Sequence, residues 1–89
     1  MNKSKEIYLS VIIQAIRDCA SKDKKKYKDA VLWVASKDFI DICNVVGIQP
    51  ATIRQSLIGL LNSRNKKELS EDIISSISAT VWQREIIKN

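Results

Sequence analysis

Apolar residues along this chain recur every three or four positions, in runs separated by short polar breaks. Leu9, Ile12, Ile13, Ile16, Cys19 and Ala20 fall on one helical face, which predicts a first helix over about residues 5–20. Ser4 is its candidate cap, and Glu6 suits the first turn, where an acid complements the helix dipole. Ser21 to Asp23 reads as a break. Tyr27, Ala30, Val31 and Val34 resume the pattern, with Leu32 and Trp33 widening the stripe, and predict a second helix with a basic start. "SKDF" restarts the chain, and Ser36 and Asp38 both qualify as caps of a short third helix carrying Phe39, Ile40, Ile42, Cys43, Val45 and Val46. Ile53, Leu57, Leu60 and Leu61 line a fourth helix. "NSRNKKELSED" reads as a further break, with Ser70 as cap of the last helix and Glu71 and Asp72 in its first turn. Ile74, Ile77, Val81 and Trp82 form its stripe, with Ile73, Ile86 and Ile87 nearby. No segment carries the period of a strand, and no repeat or low-complexity linker occurs. The expected fold class is all-α: a compact bundle of about five helices, one domain spanning residues 1–89.

The passage from the third helix to the fourth, "ICNVVGIQPATIR", contains one of the two glycines and the only proline. Gly47 suits the left-handed position just past a helix end. Pro50 suits the first position of the next helix, where its missing N–H costs nothing. A short turn with a glycine between two helices is the helix-turn-helix unit, placed here at about residues 39–61. Cys43 is the small residue at the helix–helix contact, Ile48 plugs the turn, and Ile53 packs the fourth helix back on the third.

This constellation resembles the helix-turn-helix DNA-binding superfamily. The longer stretch "AVLWVASKDFIDICNVVGIQPATIRQSL" is similar to small phage-encoded or prophage-like bacterial helix-turn-helix proteins, with their tryptophan-bearing segment, Ser/Asp-Phe start and Cys-x-x-x-Gly-Ile-x-Pro-x-x-Ile/Val-Arg run. The resemblance implies double-stranded DNA as the partner and transcriptional regulation or recognition of phage DNA as the role. With Ile53, Leu57 and Leu60 turned inward, Gln49, Thr52, Gln55, Ser56 and Gly59 turn outward and Arg54 lies near the edge. Glutamine pairs with adenine and arginine with guanine in the major groove. Gln49, Thr52, Arg54, Gln55 and Ser56 are therefore the candidate base-facing residues. That face has one arginine and no lysine, so phosphate contacts fall to Lys37, Arg64, Lys66 and Lys67. The lysine-rich run from Lys22 to Lys28 joins them only if it shares the face of the fourth helix.

Composition narrows the alternatives. Hydrophobic residues make up 45% of 89, enough for one small core. Fifteen Lys and Arg against ten Asp and Glu leave a net charge of +5, which mildly favours polyanions. The absence of histidine removes the commonest general base, two cysteines cannot make a structural zinc site, and two glycines form no phosphate loop. We therefore expect no enzyme activity, no cofactor, no metal and no small-molecule substrate. No signal peptide is recognisable and no stretch approaches a membrane span, so the expectation is a cytoplasmic protein with reduced thiols. Trp82 and the nearby isoleucines either cover the core or form a homodimer contact through the C-terminal helix. The alternative function is a helical protein–protein interaction module, an adaptor, inhibitor or assembly subunit, without nucleic-acid binding.

Overall fold

The computed structural model describes the backbone of residues 3–87 and the side chains of residues 5–83. Five helices account for it: α1 (Lys3–Cys19), α2 (Lys24–Val34), α3 (Lys37–Val46), α4 (Pro50–Leu61) and α5 (Lys66–Ile87). The fold is all-α, and no strand occurs among the described residues. The expected stripes meet in one core, with Ile12, Ile16, Cys19, Phe39, Cys43, Val46, Ile53 and Leu60 almost wholly enclosed. Ile73, Ile74, Ile77 and Val81 close it from α5, and Trp82 packs on its margin, partly buried. The side chains of Ser4, Ile86 and Ile87 lie outside the described residues.

Local chemistry explains most helix ends. Asp23 caps α2, its Oδ1 accepting from the backbone N–H groups of Lys25 (2.9 Å) and Lys26 (3.4 Å). Of the two candidate caps of α3, Ser36 is the one used: its Oγ accepts from Phe39 N–H at 3.4 Å and donates to the Trp33 carbonyl. One hydroxyl thus ties the end of α2 to the start of α3.

Three expectations are corrected. Helix α1 begins at Lys3, ahead of the proposed cap at Ser4. Leu32 does not widen the buried stripe of α2 but is 60% exposed. Ser70 does not cap α5, which begins at Lys66; Ser70 is 2% exposed, and its Oγ donates to the Lys67 carbonyl at 2.6 Å. The break is only Asn62 to Asn65. The Asn65 carbonyl accepts the first helical bond, from Leu69 at 3.1 Å, and Ser63 Oγ accepts from Asn65 N–H at 3.1 Å. Lys66, Lys67, Glu68 and Leu69 are good helix formers, so the helix extends back to the turn once Ser63 organises it.

The α3–α4 corner has the expected stereochemistry. Gly47 has φ 87° and ψ 29°, and no other described residue has positive φ. The carbonyl of Cys43 accepts from both Gly47 N–H (2.8 Å) and Ile48 N–H (2.9 Å), which stops α3 in a left-handed C-cap. Ile48 then packs on the core and Pro50 opens α4. A β-branched residue resists that φ, so Gly47→Val is expected to cost about 1–2 kcal/mol. Urea denaturation checks this, and a cost within error of zero would show that the turn tolerates another conformation.

Candidate nucleic-acid interface

The expected recognition helix divides as its sequence suggests. Ile53, Leu57 and Leu60 are 1%, 4% and 0% exposed, while Gln49, Thr52 and Gln55 are open to solvent and Ser56 is partly covered. Gln49 makes no side-chain cap bond to α4, so its amide remains available. Gln49, Thr52 and Ser56 do not project from a bare cylinder. They form one wall of a groove whose other wall is α5, contributed by Asp72, Ser76 and Thr80, with Ile53, Ile73 and Ile77 at its floor. Hydroxyls and amides line both sides, and Asp72 brings the one charge.

Arg54 is not in that row. Its Nε donates to the Val34 carbonyl at 3.0 Å and its Nη2 to the Ser36 carbonyl at 3.5 Å. Its guanidinium carbon lies 5.3 Å from the centroid of the Phe39 ring, within the range of a cation–π contact. The carbonyl of Val34 is one of the orphan acceptors at the end of α2, and a cation there also complements the helix dipole. Arg54, expected near the edge of that face, is thus drawn inward to the α2–α3 junction by these contacts. Its position three residues before Leu57, on the buried side of α4, is the sequence signal for this role.

The basic residues separate into two places. Lys37 is exposed in the first turn of α3 and lines neither groove described in this subsection. Arg64, Lys66 and Lys67 lie at the α4–α5 turn, and the fold brings them to the turn between α1 and α2. Ala20, Ser21 and Lys22 face this α4–α5 segment across a second concavity. The Lys66 ammonium lies 6.0 Å from the Tyr27 ring centroid. The run from Lys22 to Lys28, which the sequence alone could not place, therefore joins the Arg64–Lys67 group at one end of the molecule.

The two sequence segments together carry a charge excess equal to that of the whole chain, and the concavity between them is also lined by Glu68, Glu71 and Asp72. Residues 22–29 hold five lysines against two aspartates, and residues 63–68 hold three cations against one glutamate; the difference is five, equal to the net charge. The seven basic and seven acidic residues elsewhere cancel. None of the eight cations makes an ion pair among the described residues; the nearby pair is Arg17–Glu71, at 3.4 Å and half exposed. Helices α2 and α5 both begin at this end, and their N-termini add partial positive charge.

Cys19 and Cys43 are free and buried. Burial pushes both thiols from 9.0 to about 11; Asp18 adds to the rise at Cys19, and Arg54 opposes it at Cys43. They are protonated, weak nucleophiles at neutral pH. No described helix is long and apolar enough to cross a membrane.

The chain matches no known protein family, curated protein or solved structure in comparisons of each kind.

Proposed function

We propose that this is a small DNA-binding protein of phage or bacterial type that reads duplex DNA through the α3–α4 helix-turn-helix and acts in transcriptional regulation or recognition of phage DNA. One observation carries the reading: α4 keeps Gln49, Thr52 and Gln55 exposed beside a glycine-closed turn while its aliphatic row is locked in the core. Amide and hydroxyl groups on the first turns of such a helix are suited to base edges in the major groove. Arg54 supports this indirectly, by fixing α4 against the α2–α3 junction. The test is a fluorescence-anisotropy titration with a pool of random and genomic duplexes. Binding is expected at about 50 mM salt and is expected to weaken at least tenfold by about 200 mM. The Gln49→Ala/Thr52→Ala/Gln55→Ala variant is expected to keep its fold and lose its preference among sequences. Absence of duplex binding at the lower salt concentration would remove the proposal.

A second reading, a helical interaction module, draws on a separate observation. Val31, Val34, Leu57, Ile58 and Leu61 line an apolar groove between α2 and α4, and Ile58 is 61% exposed. A complex or homodimer that buries Gln49 to Ser56 would favour that reading. Pairing through α5 that leaves this row open fits DNA binding, because half-site readers present two such helices.

A further inference from the structure

The two grooves share one residue. Asp72 belongs both to the polar groove between α4 and α5 and to the concavity at the basic end. The two surfaces therefore meet on one side of α5. Thr80, at the far end of the polar groove, lies fourteen residues beyond Lys66, which is about 21 Å of helix and roughly six base pairs of duplex rise. A single duplex can span both.

We propose that the sugar–phosphate backbone of duplex DNA docks on the basic end formed by Lys22, Lys24, Lys25, Lys26, Arg64 and Lys67, and that its path continues past Asp72 to the polar row of α4. This deepens the DNA-binding reading and rests on it. It assigns phosphate anchoring to a surface outside the helix-turn-helix and leaves base reading to α4.

The chemistry of the surface selects the partner. The cations are exposed and carry no carboxylate partner, so they are available to replace counterions condensed on a duplex. Tyr27 is the only aromatic side chain in the patch; it is half-buried beside Lys66, so it offers no open stacking platform of the kind single strands require. None of the exposed large apolar side chains, Ile7, Tyr8, Val11, Leu32, Val45 and Ile58, falls within residues 20–28 or 63–68. An anionic bilayer would find charge there but nothing to insert. Glu68, Glu71 and Asp72 line the concavity as repulsive charges; Asp72 is the one that also lines the groove leading to α4, so its removal should strengthen binding.

Anisotropy titrations with a random-sequence duplex at about 50 and about 200 mM salt separate the parts. The variants are Lys24→Gln/Lys25→Gln/Lys26→Gln, Lys22→Gln/Arg64→Gln/Lys67→Gln, Asp72→Asn and Gln49→Ala/Thr52→Ala. Each triple is expected to weaken binding about tenfold or more, equally for all sequences, and to flatten the log–log salt slope by about 2–3, near 0.9 per lost contact. Asp72→Asn is expected to tighten binding about two- to fivefold, a gain that misfolding cannot produce. Gln49→Ala/Thr52→Ala is expected to leave the salt slope unchanged. Removing lysines from the start of α2 relieves repulsion with the helix dipole, so thermal melts of that triple should not fall. If the wild type binds duplex and both triples match it in affinity and slope, the docking assignment is overturned while the DNA-binding reading stands. If the wild type binds no duplex, both fall. Tighter binding to single-stranded RNA or to phosphatidylserine vesicles than to duplex would also overturn the assignment.

Discussion

Phe39→Ala is expected to destabilise the protein by about 3–5 kcal/mol, the range for deleting an enclosed aromatic ring. A chain of this length has roughly 4–13 kcal/mol in total, so the variant should stand at the edge of folding at room temperature. Phe39 is 1% exposed. Trp33 meets its ring edge-on, with centroids 5.4 Å apart and planes at 83°, and the Arg54 guanidinium lies over its face. Alanine removes the apolar area, leaves a cavity, and strips Arg54 of a partner at a half-covered site. Phe39→Leu refills most of that volume and is expected to recover more than half of the loss. Urea denaturation of both variants tests the claim. The interaction with Arg54 is tested by adding Arg54→Met: the two losses should sum to more than the double variant shows, because both side chains serve the same junction. A loss under about 1 kcal/mol for Phe39→Ala would mean that the α2–α3 junction is held by other contacts.

This cluster also shows where sequence reasoning reached and where it stopped. Periodicity located all five helices, because burying one stripe per helix is the dominant requirement of a small core. The α3–α4 turn was legible for a stricter reason: few residues besides glycine accept a φ of 87°, and proline is well tolerated at a first helical position. Ser36 was legible as a cap, but its second bond, to the carbonyl of Trp33, depends on how α2 ends. Ser70 failed as a cap because the cap signature is local, whereas the start of α5 is decided by the turn at Ser63 and by burial of Ser70 itself. Arg54 carried a usable signal in its spacing from Leu57, which its attraction as a base reader obscured. The merging of the Lys22–Lys28 and Arg64–Lys67 segments had no local signal at all. It follows from the α4–α5 turn and the α1–α2 turn reaching the same end of the bundle, a consequence of tertiary packing.

Alkaline conditions are expected to destabilise the fold through Cys19 and Cys43 together. Both thiols are 1% exposed or less, and burial holds each near 11 instead of 9.0. The direction follows from proton counting. Between pH 9 and pH 11 the unfolded chain has released the thiol protons while the folded chain still holds them, so the unfolded state binds fewer protons and stability falls as pH rises. Below pH 9 both states are protonated and the thiols contribute no pH dependence. At pH 10 the loss is on the order of 1 kcal/mol per thiol, roughly doubled for the pair, and it levels off above pH 11. Urea midpoints of the wild type at pH 7, 9 and 10 should record that decline above the background from lysine and tyrosine titration. Cys19→Ala/Cys43→Ala supplies the background: it is less stable at pH 7 but should lose distinctly less stability than the wild type between pH 7 and pH 10, by roughly 2 kcal/mol. Parallel declines in the two proteins would mean that the thiols ionise as readily in the fold as in the unfolded chain, and that the core around α1 and α3 opens to water far more easily than its packing implies.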